Sequence, residues 1–226
     1  MNTRRGITRE LARYATASRY ADLPELVRAE AVRAFVNWLG CALGGCHEPS
    51  VKVAAAMVAR LGGAPQASII GQRQRTDVAS AAMVNCISST CQAFDDAHLP
   101  TVTHPSSPAG GALFALCETQ TVSGEDFLNA LALTIEIECR LSNALVQAPS
   151  QFNPGFYVTG LSGPIGVALG VGNLLKLNEE QMVTAIVLAA SQASGFRATN
   201  GTMSAHFRPG HAARCGVGAP QRGHGG

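Results

Sequence analysis

Between Cys91 and Pro108 the chain reads Cys-Gln-Ala-Phe-Asp-Asp-Ala-His-Leu-Pro-Thr-Val-Thr-His-Pro-Ser-Ser-Pro, bringing two adjacent carboxylates, two imidazoles and two serine hydroxyls into one span. Histidine is the side chain whose ordinary pKa, near 6.5, lets it give or take a proton around neutrality. His104 is therefore the first candidate for an acid or base, with Pro105 fixing the backbone beside it. Asp95 or Asp96 can orient an imidazole, or one of them titrates high because two like charges sit together. The plainer role for either is to cap or turn the chain. His98 is a second acid/base candidate, or else a surface-loop histidine. Asp95, Asp96, His98 and His104 also make a mixed oxygen and nitrogen ligand set, but their spacing matches no standard metal site.

The elements around this span explain why it is displayed. Pro100 and Pro105 forbid a continuous helix, because proline lacks the donor N–H and clashes with the preceding turn. An irregular segment between two helical patterns is where catalytic groups tend to be presented. Before it, apolar residues at Leu23, Val27, Ala31, Phe35, Trp38 and Ala42 predict a buried helical stripe, capped by Asp22 and stopped at Gly44-Gly45. Ser50 and Thr76 are read as caps of the next two helices, and Ala67–Gly71 as the one short strand. After it, a helix restarts at Ser107-Pro108, another begins at Ser123, and Gly160 to Leu175 is helical though punctuated by glycine. Asn178-Glu179-Glu180-Gln181 is a capping box opening a helix to Ser194. About eight helices and almost no strand predict an all-α domain.

Composition narrows the classes further. Charged residues are 14% and apolar ones 46%, so most of the chain expects burial, and so little charge points to surface lost to a second copy, a homodimer. A net charge of +2 and the lack of a Lys/Arg cluster argue against nucleic acid. Seven cysteines without a Cys-x-x-Cys pair suit buried thiols in a reducing cytoplasm. The opening residues do not make a signal peptide. Leu141 to Leu175 carries no charge, but Asn143, Gln147, Pro149, Ser150, Gln151, Asn153 and Pro154 interrupt it, so it is read as protein interior and not as a membrane span. The glycines lack Gly-Lys-Ser/Thr and a preceding strand, so they are read as sites of close helix approach rather than as a phosphate cradle.

With Phe94-Asp95-Asp96-Ala97-His98 and His104-Pro105 leading into a helix, the sequence resembles the MmgE/PrpD family, whose members include 2-methylcitrate dehydratase, cis-aconitate decarboxylase and iminodisuccinate epimerase. The likeness recurs, in the family's order, at Gly155–Gly160, Ser191–Gly195, Asn200-Gly201-Thr202-Met203 and Pro209–Gly216. It implies a large helical domain, usually dimeric, whose family partner is a smaller α+β domain. Residues 1–216 are read as that helical domain only. Residues 217–226, with Pro220 and four glycines, are read as a divergent, truncated or frame-shifted tail in which the family's helix breaks.

The resemblance also implies cofactor-independent acid/base chemistry on a small polycarboxylate, as a lyase or an epimerase. It points to His104, Asp95, Asp96 and His98 as catalytic groups, and to Tyr157 as a phenol where relatives use histidine. Arg208, His206, Thr202 and His211 are the substrate-binding candidates, with Arg197 as a further cation. Arg140, which follows Glu136 and Glu138 in an otherwise apolar helix, is read as part of a structural ion pair. Four positions depart from the family pattern: Ala93 for an acidic residue, Ala97 for threonine, Tyr157 for histidine, and Ser204-Ala205 where lysine is common. A non-catalytic helical relative that keeps the fold is the rival reading.

Overall fold

The computed structural model describes residues 6–147 and 155–223. Pro149, Ser150, Gln151, Asn153 and Pro154, the residues before Gly6 and the last three of the tail lie outside that description. The described chain forms nine α-helices: α1 Ile7–Ala17, α2 Glu25–Gly45, α3 Pro49–Leu61, α4 Val78–Thr90, α5 Ser106–Cys117, α6 Gly124–Val146, α7 Val158–Leu174, α8 Glu179–Ala190 and α9 Phe207–Gly223. Two-residue strands β1 (Ala67–Ser68) and β2 (Arg75–Thr76) pair antiparallel, with Ala67 opposite Thr76. The all-α expectation holds. None of the described helices is long and apolar enough to cross a membrane.

The core is centred on α7, which is buried over most of its length and is flanked by α6, α8 and α9. Its glycines bring the neighbouring backbones in. A Cβ on Gly170 would stand 2.9 Å from the Ala130 carbonyl of α6, and one on Gly160 would stand 2.2 Å from the Ser194 carbonyl. From α9, Gly216 sits where a Cβ would meet Val167 at 2.4 Å. Close helix approach is what the glycines do. Around this centre α4, α5 and α9 pack Ala82, Cys86, Ala112, Leu113, Ala213 and Val217 into one cluster. On α2, Trp38 and Ala42 pack with Ile70, while Val27 of the expected stripe faces outward.

The sequence reading placed several helix ends one or two residues away from where they are found. Asp22 belongs to a short 3-10 turn, and Pro24 stands at the cap of α2. Thr76 pairs in β2, and it is Asp77 whose side chain accepts from Ser80 N at 2.9 Å. Ser50 lies inside α3, where Pro49 fills the first turn. Ser123 and the Asn178/Gln181 capping box stand where the sequence put them.

One expectation fails outright. Pro220 and Gly218 do not stop the last helix, which continues to Gly223. An interior proline costs a helix about 3 kcal/mol. Here Val217 and Ala219 are fully buried, the latter against Ala168 and Ala189, so packing holds the helix through the proline.

Two glycine substitutions test the packing account. A Cβ on Gly110 would lie 2.3 Å from the Trp38 ring, whereas one on Gly40 of α2 meets nothing within 4 Å. Gly110→Ala is expected to destabilise by about 1–3 kcal/mol through overpacking. Gly40→Ala should stabilise by about 0.5–1 kcal/mol through helix propensity. Thermal unfolding of the two variants reads both signs.

Candidate functional site

The chain leaves α4 at Thr90 and reaches α5 at Ser106 through the acid/imidazole loop. Two non-glycine residues in this loop, Ala93 at φ 55° and Val102 at φ 54°, adopt the left-handed region, which is unfavourable for a β-branched side chain such as valine. Around Pro100 the loop folds on itself. His98 N donates to Thr103 O at 2.8 Å and Val102 N donates back to His98 O at 2.8 Å. From α2, Asn37 Nδ2 donates to Phe94 O at 3.1 Å.

Both aspartates engage the head of α5. Asp96 Oδ1 accepts from Ser106 N at 3.1 Å and from the Ser106 hydroxyl, while Asp95 Oδ2 accepts from Ser107 Oγ at 2.9 Å. Caps of this kind satisfy the first N–H groups of a helix. The capping role and the orienting role were alternatives in the sequence, and the two aspartates divide them: Asp96 takes the Ser106 N–H, and Asp95, anchored on the Ser107 hydroxyl, stands beside the imidazole. Its Oδ2 also lies 3.3 Å from His104 Nδ1, and its side chain is 3% exposed. The contact is an ion-pair approach rather than an aligned hydrogen bond, since Nδ1 has no well-directed acceptor. Asp95 nonetheless holds the imidazole proton on above its ordinary range, against a smaller opposing effect of burial. The His104 backbone N donates to Thr159 Oγ1 of α7 at 3.1 Å, which fixes the ring's origin.

The opposite wall comes from the head of α7 and the segment before α9. Tyr157 N donates to Gly195 O at 2.9 Å, and Arg197 N to Gly155 O at 2.9 Å. Phe156 stacks on Phe196 with centroids 5.3 Å apart. The Arg208 guanidinium lies 4.1 Å from the Tyr157 ring centre, over its face. It is held there by Phe196 O at 2.9 Å, Ala205 O at 3.0 Å and Asn200 Oδ1 at 2.7 Å. These use three of its five N–H groups. Burial raises the Tyr157 phenol, so it stays an O–H donor, and burial lowers His206 below the usual imidazole range.

Between the walls lies a cavity of about 550 Å³, whose lining includes Asp95, His104, Tyr157, Arg197, His206 and Arg208. Two guanidiniums and an imidazole that favours its proton face one carboxylate, so the space favours an anion. Not every candidate is there. Asp96 opens instead onto a second cavity of about 580 Å³ between α2 and α6. The His98 ring is spent on Thr101 Oγ1 at 2.8 Å, which stiffens the loop. Thr202 donates to Thr199 O at 2.7 Å on an exposed turn. His211 stacks on Phe207 and approaches Cys215 Sγ at 3.4 Å. Arg140 is exposed and paired with Glu136, as expected. The residues that the sequence did not single out are Thr159, Asn200 and the Phe156/Phe196 pair. Only the fold brings these to the loop. No group of three or more His, Cys, Asp or Glu able to hold a metal occurs among the described residues.

The chain is 30% identical over 233 residues to a cis-aconitate decarboxylase of Aspergillus terreus, a match covering 100% of this chain and 47% of the relative. It is likewise 30% identical over 224 residues to the cis-aconitate decarboxylase of Aspergillus terreus strain NIH 2624 / FGSC A1156, covering 96% and 45%. The chain thus spans less than half the length of these curated relatives. Residues 9–226 match the MmgE/PrpD N-terminal domain, so this chain belongs to the MmgE/PrpD family.

Proposed function

We propose that the protein is a lyase-type enzyme that moves a proton beside a carboxylate of a small polycarboxylate, without a cofactor. The observation that supports this most directly is the Asp95–His104 pair opening onto a cavity that Arg197 and Arg208 also face. In this reading the arginines bind substrate carboxylates through the donors that their structural contacts leave over. His104, kept protonated by Asp95, is the acid that returns a proton to the carbon relinquishing CO2, or to a departing hydroxyl. Deprotonated, it is the base for the reverse step. Tyr157 offers a second, neutral O–H to developing negative charge. His98, Thr202 and His211 act at a distance from the chemistry, holding the loop and the turns around it.

An epimerase reading has its own support. Three of the four departures from the family pattern, Ala93, Tyr157 and Ala205, line this cavity. A wall without the common acidic and lysine side chains keeps proton exchange but has fewer groups to assist a leaving group. We also propose that the chain pairs with a second copy. Leu26, Val32 and Val36 of α2 and Val53, Met57 and Leu61 of α3 are exposed apolar residues, which self-association would cover.

Two measurements test the site. His104→Ala should lower turnover of the accepted substrate by about two to four orders of magnitude, the usual worth of acid/base catalysis. Products from cis-aconitate, 2-methylcitrate and iminodisuccinate, followed by NMR, separate loss of CO2 or water from proton exchange alone. An unimpaired His104→Ala protein rules the assignment out. Separately, the His104 ring should titrate above 6.5 in the parent and lower in Asp95→Asn, read by NMR of labelled histidine. Because its folded value is raised, the pair stabilises the fold fully below the unfolded value near 6.5. That contribution is lost as pH rises through the folded value.

A further inference from the structure

Behind the cavity, α6 buries a carboxyl group that the proposed reaction leaves unused. Glu138 is 0% exposed, and neither of its oxygens has a hydrogen-bond partner among the described residues. Space for it is made on α7. A Cβ on Gly166 would stand 2.4 Å from Glu138 Cγ, and one on Gly163 would stand 3.8 Å from Glu138 Oε2, beside Pro108 of α5 and Ala212 of α9. The carboxyl group therefore lies close to the first turn of α5, the turn that Asp96 caps. A leucine or methionine would fill this place with no polar atom to bury, so the acid is an expensive choice on packing grounds.

Charge explains what the acid senses. Burial lifts Glu138 well above the carboxylate range, and the negative charge of Asp96 pushes it the same way. Its other titratable neighbours are Cys86 of α4 and Cys139 on α6, both raised by burial. From Val158 to Leu174, α7 has no titratable residue. At the Gly163 position, the atoms of α5 and α9 that stand beside Glu138 Oε2 belong to Pro108 and Ala212, neither of them titratable. No cation among these groups would hold an ionised Glu138.

We propose that Glu138 is a positioning residue for the catalytic loop. Uncharged, it lets Asp96 stay seated on the head of α5. Ionised, it repels Asp96 and loosens the loop that bears Asp95 and His104. This rests on the reading of Asp95–His104 as the acid/base pair, but its test needs no substrate. In the parent protein, the labelled His104 ring should show its own protonation step and then a second, alkaline step as Glu138 loses its proton. Glu138→Gln should erase the second step, and Glu138→Leu, a packing alternative should the amide fold poorly, should do the same.

Stability should follow the same group. The unfolded chain ionises Glu138 near 4.5, and burial in the folded chain moves that ionisation well above this value. Each pH unit above that value therefore raises the unfolded fraction up to about tenfold, until the folded group ionises. Glu138→Gln removes this loss, so its melting temperature should pull ahead of the parent's as pH rises above the unfolded value near 4.5. A single His104 step throughout the folded range, a second step surviving both substitutions, or melting curves that stay parallel would each overturn the proposal. An intact Glu138 response with an active His104→Ala protein would instead refute the acid/base reading and leave the buried acid in place.

Discussion

The first turn of α5 is buried, with Ser106, Ser107 and Pro108 shielded from solvent. A helix start in that position has N–H groups that water cannot reach and that no preceding turn can satisfy. The loop before it answers with Asp96, which accepts from the Ser106 N–H and hydroxyl, and Asp95 takes the Ser107 hydroxyl beside it. This cap fixes the loop, and the loop fixes the site. Once Asp95 is seated on the Ser107 hydroxyl, its Oδ2 already lies beside His104, so the atom that anchors the loop to α5 is also the one that approaches the imidazole.

The seating would fail without the glycines that surround it. Gly111 brings α5 against the Ala82 carbonyl of α4, where a Cβ would stand at 2.7 Å, and Gly210 brings α9 against Met83 O, at 2.9 Å. Such approaches leave little room for polar side chains between helices. Thr134 donates to the Ala130 carbonyl of its own helix, and Ser142 to Ser162 across the α6–α7 contact. Glu138 alone in this zone carries an acid with no partner among the described residues, which is why its role is sought in charge rather than in packing.

Much of the fold was legible because it rests on local rules. Helix positions follow apolar spacing, and Ser123 and the Asn178/Gln181 box are short-range caps. Pro220 shows where local rules stop: a residue that ends most helices is carried through because Val217 and Ala219 are buried against α7 and α8. The site divides in the same way. His104 and Asp95 were legible from residue type and adjacency. Thr159, which anchors the His104 backbone from 55 residues away, leaves no local signal. His98 and His211 were plausible by type but found partners nearer than any substrate, Thr101 in one case and Phe207 with Cys215 in the other.

The neighbouring aspartates show how far environment separates identical side chains. Asp95 faces the cavity with His104 and the arginines, whereas Asp96 faces the one between α2 and α6. Asp95 has an imidazole to share its charge with. Asp96 has Ser106 as its hydrogen-bond donor, and burial raises it above the ordinary range despite those bonds. Two carboxylates one bond apart in the sequence therefore answer to different neighbours, one to a proton carrier and one to a helix head with a buried acid behind it. Exchanging their roles would need a one-residue slip of the loop. Asn37 on Phe94 and the hydrogen bond from His98 N to Thr103 O hold the loop against that slip on either side of the pair.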